Sequence, residues 1–131
     1  MCIRDRRYGV ALLYGTRRFG STVHEILLVD ASNPNRGEID AFHYLLWENY
    51  KLDCLRDSGS QEFVQALAVA PPLLAALHAI DAGAGLRASQ KVIVAHEWMG
   101  LPLVFAAQID APGQWCTVYY AHEVPTARRL I

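Results

Sequence analysis

The chain has 131 residues, of which 53% are hydrophobic and 19% charged, and its formal net charge is −1. This composition is typical of one globular domain, and the near-neutral charge excludes a broad basic surface for nucleic acid. The longest apolar stretch, residues 66–77, is too short and too interrupted to span a bilayer, so we expect no membrane partner. Three cysteines without metal-like spacing (Cys2, Cys54 and Cys116) favour a reducing cytoplasm.

Both ends of the sequence lead us to expect a piece of a longer protein. Residues 1–7 begin with the Arg-rich run MCIRDR, which lacks the apolar core of a signal peptide and resembles translated sequencing-adapter read-through. We therefore expect a non-native leader and leave it out of the fold prediction. Residues 125–131 resemble the start of an amphipathic helix without a C-cap signal. The prediction is a truncated domain over residues 8–131.

Two apolar runs in the first half predict strands. Residues 8–15 and 24–30 are continuous apolar runs bounded by breakers, which is the pattern of a strand covered on both faces. The polar segment between them, residues 15–20, is expected to be a loop. Residues 38–55 have apolar side chains at helical intervals and predict one helix or two short ones.

A long helical crossover is predicted next. Ser60 is a good N-cap for a helix that begins at residue 61. Pro71 and Pro72 each remove an amide donor and clash with the preceding turn, so we expect the helix to kink or break there and then resume.

The second half alternates between strands and helices. Strands are predicted at residues 91–97 and 115–123, with a helix over 98–109 between them and another entered at 125–131. Such alternation implies parallel strands. The predicted fold class is therefore α/β, with a Rossmann-like, mostly parallel sheet and helices on both faces.

The two predicted strands of the second half end in the same polar pair. Residues 92–98 (VIVAHEW) and 117–124 (TVYYAHEV) each close an apolar run with Ala-His-Glu. Because ligands bind beyond the carboxyl ends of parallel strands, His96 and His122 are expected to face one cleft beside anion-favouring helix N-termini. Imidazoles there suit a polyhydroxylated or phosphorylated ligand, and the alternative is that each only caps a nearby carbonyl. No metal site is predicted, since neither pair has the His-Glu-x-x-His spacing.

The sequence resembles the N-terminal domain of glycogen and starch synthases. Residues 92–108 (VIVAHEWMGLPLVFAAQ) are similar to the family's His-(Asp/Glu)-Trp motif, and residues 117–131 (TVYYAHEVPTARRLI) to the strand and helix that follow it. Residues 11–30 and 61–77 are similar to an upstream pattern and to the long helix of the family. The resemblance implies part of the N-terminal half of a GT-B fold. It also implies a cytoplasmic, retaining glycosyltransferase of glycogen biosynthesis that moves glucose from ADP- or UDP-glucose to an α-1,4-glucan.

The resemblance also implies roles for individual residues. His96 matches the motif histidine that contacts the donor sugar near the reacting carbon and is the predicted catalytic residue. His122, Glu97 and Trp98 match substrate-binding positions, although Glu97 could instead orient a neighbouring residue or cap the helix, and Trp98 could pack against the sheet. The implied partners are a nucleotide-sugar donor, a glucan acceptor and a C-terminal domain that this chain lacks, so the segment alone is expected to be inactive. No cofactor is implied.

Further candidates come from the residues themselves. Arg17 and Arg18, flanked by glycines, could contact phosphate or glucan, or could simply be solvated. His24, His43 and His78 have no converging partner in the sequence and are interpreted as structural.

Two departures from the family pattern leave alternatives open. Val94 stands where bacterial members have a second histidine, and the family's Lys-x-Gly-Gly loop is absent. The alternatives are another GT-B glycosyltransferase with a different sugar or acceptor, and a non-enzymatic Rossmann-like module that binds a sugar or nucleotide.

Overall fold

The computed structural model describes residues 2–56, 59–84 and 91–122. In chain order the elements are β1 (Cys2–Asp5), β2 (Val10–Phe19), β3 (Thr22–Asp30), α1 (Arg36–Tyr50), α2 (Gln61–Ala84), β4 (Lys91–His96), α3 (Glu97–Asp110) and β5 (Trp115–Tyr120). Within the described residues, β1, β2 and β3 form an antiparallel sheet, whereas β4 and β5 form a separate parallel pair. The predicted fold class is therefore wrong: the described residues do not form a mostly parallel Rossmann-like sheet with helices on both faces.

The antiparallel arrangement follows from the turn that joins β2 to β3. The pairing of Phe19 with Thr22 leaves a two-residue turn, and Gly20 at its first position has a φ of +59°. Glycine adopts this left-handed conformation without steric cost, and a two-residue turn can only join antiparallel strands. Pairing continues through Arg17 and Arg18, so the loop predicted over residues 15–20 is wrong.

The antiparallel sheet is covered on one face only. Val10 is 1% exposed and packs in a small core with Ala31, Ile39 of α1 and Ala68 of α2. On the other face, the paired residues Leu13 and Leu28 are 48% and 56% exposed. The predicted burial of these strands on both faces is therefore wrong.

The Arg-rich N-terminal segment belongs to this sheet. Its residues 2–5 form β1, which pairs with β2 from Cys2 opposite Leu13 to Asp5 opposite Val10. The segment, which the fold prediction left out, therefore forms part of this sheet. Its origin as a non-native leader stays a prediction.

The ends of α1 and the start of α2 carry capping residues. The Asn35 side chain accepts a hydrogen bond from the N–H of Gly37 (3.0 Å), and α1 ends at Lys51 in a left-handed conformation. At the start of α2, the N–H of Phe63 donates to Oγ of Ser60 (3.3 Å), which confirms the predicted N-cap.

The helix α2 continues through both prolines, so of the predicted kink or break, the break does not occur. Each proline removes one backbone hydrogen bond, but Pro72 is fully buried, and Leu67 and Leu74 of the same helix are only 2% and 5% exposed. Packing along this helix offsets the lost hydrogen bonds, because most helical stability in proteins comes from tertiary contacts.

Because α2 is not interrupted at the prolines, its length no longer argues against a membrane-spanning helix. Among the described helices, residues 61–83 are long and apolar enough to cross a bilayer by length and composition. Core helices of soluble proteins have the same properties, and α2 supplies Leu67, Ala70 and Leu74 to the core. The absence of a membrane partner stays a prediction.

The main core lies where the three helices of the described chain meet β4 and β5. Its buried members are Phe42, Leu46, Cys54, Leu67, Ala70, Leu74, Ile93, Ala106, Ala107, Ala111 and Trp115. The helix α3 approaches β4 closely at Gly100, where a Cβ atom would lie 2.9 Å from Cβ of Ala95. This contact fixes the start of α3, and with it the polar end of β4.

Candidate functional site

Two histidine side chains meet at the carboxyl ends of β4 and β5. The parallel register places His96 opposite Tyr120, and His122 lies two residues beyond the end of β5. Nδ1 of His96 is 2.9 Å from Nε2 of His122, and the two rings meet edge to edge, with centroids 5.2 Å apart and 18° between the ring planes. The structure therefore brings together the two histidines that the repeated Ala-His-Glu motif singled out.

The alternation along β4 determines which way His96 faces. Ile93 and Ala95 are 6% and 4% exposed on the face that α3 covers, whereas Val94 and His96 are exposed on the other. His96 occupies the N-cap position of α3 but makes no side-chain capping hydrogen bond. Its ring bonds to His122 instead, so the simple capping alternative does not describe this residue.

Glu97 joins the two strand ends. Its carboxylate accepts a hydrogen bond from the backbone N–H of His122. Its own backbone has a φ of +59°, a left-handed conformation that is unfavourable for a residue with a Cβ atom. Strained residues of this kind cluster at functional sites, because the surrounding structure must hold them. Here the strained residue directly follows His96 in the chain and hydrogen-bonds to the backbone of His122.

The hydrogen bond between the two histidines determines which of their remaining ring nitrogens donates and which accepts. The bond between Nδ1 of His96 and Nε2 of His122 requires a proton on one of these nitrogens and a lone pair on the other. If both rings are neutral, the remaining nitrogens, Nε2 of His96 and Nδ1 of His122, are then one donor and one acceptor. The pair can therefore donate a hydrogen bond to one ligand hydroxyl group and accept a hydrogen bond from another.

Tyr120 completes this cluster and was not found from the sequence. Its ring centroid lies 4.5 Å from that of His122 and 5.6 Å from that of His96, and the residue is 52% exposed. The signal that locates it is the parallel register, which places Tyr120 directly opposite His96. Its face provides a flat apolar surface beside the two imidazoles.

The other predicted site residues lie elsewhere. Trp98 lies against Phe63 of α2, with ring centroids 6.5 Å apart and 21° between the planes, so its described ring contact is with a helix and not with the sheet. Arg17 and Arg18 belong to the antiparallel sheet, where the guanidinium of Arg17 lies 4.9 Å from the ring centroid of Phe19. No described contact joins either arginine to the histidine pair.

The described residues contain no group of three or more His, Cys, Asp or Glu side chains arranged to hold a metal ion. The second Ala-His-Glu glutamate and the helix predicted over residues 125–131 lie outside the described residues.

Comparisons with known proteins found no matching family model, no matching curated protein and no matching solved structure. The resemblance to glycogen and starch synthases therefore rests on the quoted residues alone.

Proposed function

We propose that this chain is part of a retaining glycosyltransferase similar to glycogen synthases, which transfers glucose from ADP- or UDP-glucose to an α-1,4-glucan. The proposal is carried by one observation: His96 and His122 meet, exposed to solvent, at the carboxyl ends of two parallel strands. In parallel sheets this edge is where ligands bind.

The chemistry of the pair suits a sugar. Each glucose hydroxyl donates and accepts hydrogen bonds, and the pair of neutral imidazoles presents one free donor nitrogen and one free acceptor nitrogen, one on each ring. Glycosyl transfer passes through an oxocarbenium-like transition state. Hydrogen bonds to the sugar that strengthen in that state lower the barrier, so the proposed role of His96 is to contact the donor sugar near the reacting carbon.

The residues around the pair have supporting roles in this proposal. Tyr120 presents an aromatic face, which packs well against the apolar face of a sugar ring. Glu97 acts as a positioning residue, because its carboxylate holds the backbone of His122 next to β4. Trp98 lies against Phe63 and has a structural role in this proposal.

The test is made in the longer protein that the proposal requires. We expect His96→Ala to lower kcat by about a hundredfold to a thousandfold, the usual effect of removing a group that stabilises developing charge. The assay measures transfer from ADP-glucose and UDP-glucose to glycogen, together with the thermal midpoint of each variant. His24→Ala is the matched control, because His24 is an exposed histidine on β3.

The outcomes separate the alternatives. Unchanged transfer after His96→Ala would contradict the site assignment. Transfer from a different sugar nucleotide only would support another glycosyltransferase. Binding of sugar or nucleotide without any transfer by the longer protein would favour the non-enzymatic alternative.

A further inference from the structure

The two histidine rings at the ends of β4 and β5 are joined by a hydrogen bond between ring nitrogens. Nδ1 of His96 lies 2.9 Å from Nε2 of His122, and 18° separates the ring planes. Nearly coplanar rings direct the N–H of one ring along the lone pair of the other, which is the favourable geometry for such a bond. The bond therefore needs one proton, and only one, between the two facing nitrogens.

The number of protons on the pair determines whether this bond can exist. When both rings are neutral, one facing nitrogen carries the proton and the other accepts it. A first added proton goes to the remaining acceptor nitrogen of the pair, so the bond is kept and becomes charge-assisted. A second added proton must go to a facing nitrogen. Two N–H groups would then point at each other with their hydrogens within about 1 Å, so the rings must separate.

The groups around the pair keep this change local. The titratable groups of the described residues that contact the histidines are Glu97 of α3 and Tyr120 of β5. The negative charge of the Glu97 carboxylate stabilises a positive charge on the pair. The same carboxylate accepts a hydrogen bond from the backbone N–H of His122, so the backbone stays beside β4 when the ring of His122 moves away.

We propose that the histidine pair is a proton-operated switch, closed while it holds no added proton or one, and open when both rings are protonated. In the closed state the outer ring nitrogens of His96 and His122 have fixed positions from which to contact a ligand. In the open state the two rings separate and this arrangement is lost. The switch is a property of the pair itself, so its test does not depend on the transfer reaction proposed above.

The test follows the bond directly by NMR of the ¹⁵N-labelled 131-residue chain. A spin coupling between two nitrogens passes through an N–H···N hydrogen bond and vanishes when that bond is lost, and the ring nitrogen shifts report the protons on each histidine. We expect the coupling between His96 and His122 at about pH 8 and also with one ring protonated. It should be lost completely when both rings are protonated, at about pH 4.5, which is about two units below the ordinary histidine value.

His122→Gln separates protonation of the second ring from the general effects of acid. Glutamine places an amide near the position of Nε2 and gains no proton in this pH range, so Nδ1–H of His96 can still donate to the amide oxygen. We expect nuclear Overhauser contacts between residues 96 and 122 to persist in this variant at about pH 4.5, whereas the unchanged chain loses them. His24→Gln, at an exposed histidine of β3, is the matched control and should open like the unchanged chain.

Four results would overturn the switch. The first is the absence of the coupling at about pH 8, and the second is a coupling that persists with both rings protonated. The third is equal opening of the His122→Gln chain in acid, which would mean that another group drives the change. The fourth is global unfolding in the same pH range, visible in the backbone amide spectrum, because the opening would then not be local to the pair.

Discussion

The two sheets of this molecule are built in different ways. In the antiparallel sheet, β2 and β3 are joined by a two-residue turn at Gly20, so local chain geometry sets their register. In the parallel pair, β4 and β5 are joined through α3, which packs against the sheet at Ala95. The first arrangement needs little burial to form, whereas the second depends on a helix that covers the strands.

The difference appears in what each sheet leaves exposed. Leu13 and Leu28, paired on the outer face of the antiparallel sheet, are about half exposed. On the α3 face of the parallel pair, Ile93 and Trp115 are 6% and 9% exposed and belong to the main core. A continuous apolar run therefore indicates a strand, but it does not show how many of its faces are covered.

The largest expected effect tests this contrast in burial. Leu46 of α1 is 1% exposed in the core that supports β4 and β5, and Leu46→Ala should lower the free energy of unfolding by about 2–5 kcal/mol. Leu28→Ala makes the same chemical change on the exposed face of β3 and should cost roughly 0.5 kcal/mol or less. Urea unfolding measures both. Equal losses would show that the outer face of the antiparallel sheet is covered, and the comparison between the two sheets would fail.

A smaller effect tests the contact between α3 and β4. A Cβ atom at Gly100 would lie 2.9 Å from Cβ of Ala95 and 3.0 Å from its Cα, so the strand backbone would have to move. We expect Gly100→Ala to destabilise the protein by about 1 kcal/mol, because overpacking outweighs the better helix propensity of alanine.

Gly15→Ala is the matched control for that contact. A Cβ atom at Gly15 on β2 meets nothing within 4 Å. Both substitutions reduce the freedom of the unfolded chain equally, so the difference between them reports the folded state. If Gly100→Ala proves as mild as Gly15→Ala in thermal unfolding, α3 does not fix the end of β4 in the way described.

The sequence predicted the parallel half better than the antiparallel half for a physical reason. Alternation of strands and helices is a signal spread over many residues, so β4, α3 and β5 appear within a few residues of their predicted ranges. The hairpin depends on one glycine in a two-residue turn. The polar residues around Arg17 and Arg18 have the composition of a loop, so the strands that contain them were not predicted. Similarly, the double proline predicted a break in α2, and only the buried environment of Pro72 explains why the helix continues.

The candidate site shows the same limit. The repeated Ala-His-Glu motif was enough to single out His96 and His122. Identifying Tyr120 as part of the site requires the register between β4 and β5, which the sequence alone does not specify. His43 was interpreted as structural although its spacing from Ile39 and Leu46 places it on the buried stripe of α1. Sequence spacing shows which face a residue occupies, but not whether its polar atoms find partners there.

The smallest expected effect is a change of the free energy of unfolding with pH, and it distinguishes the buried His43 from the exposed His24. Burial lowers the pKa of His43 below its ordinary value of 6.5, with Asp40 opposing the shift and Arg36 adding to it. Between the folded and unfolded pKa values the unfolded chain binds more protons, so the free energy of unfolding must fall as the pH drops below about 6.5. His43→Phe should flatten this slope in urea unfolding, whereas His24→Phe on exposed β3 should leave it unchanged. A slope that persists after His43→Phe would mean that another group carries it, and that the His43 ring reaches water.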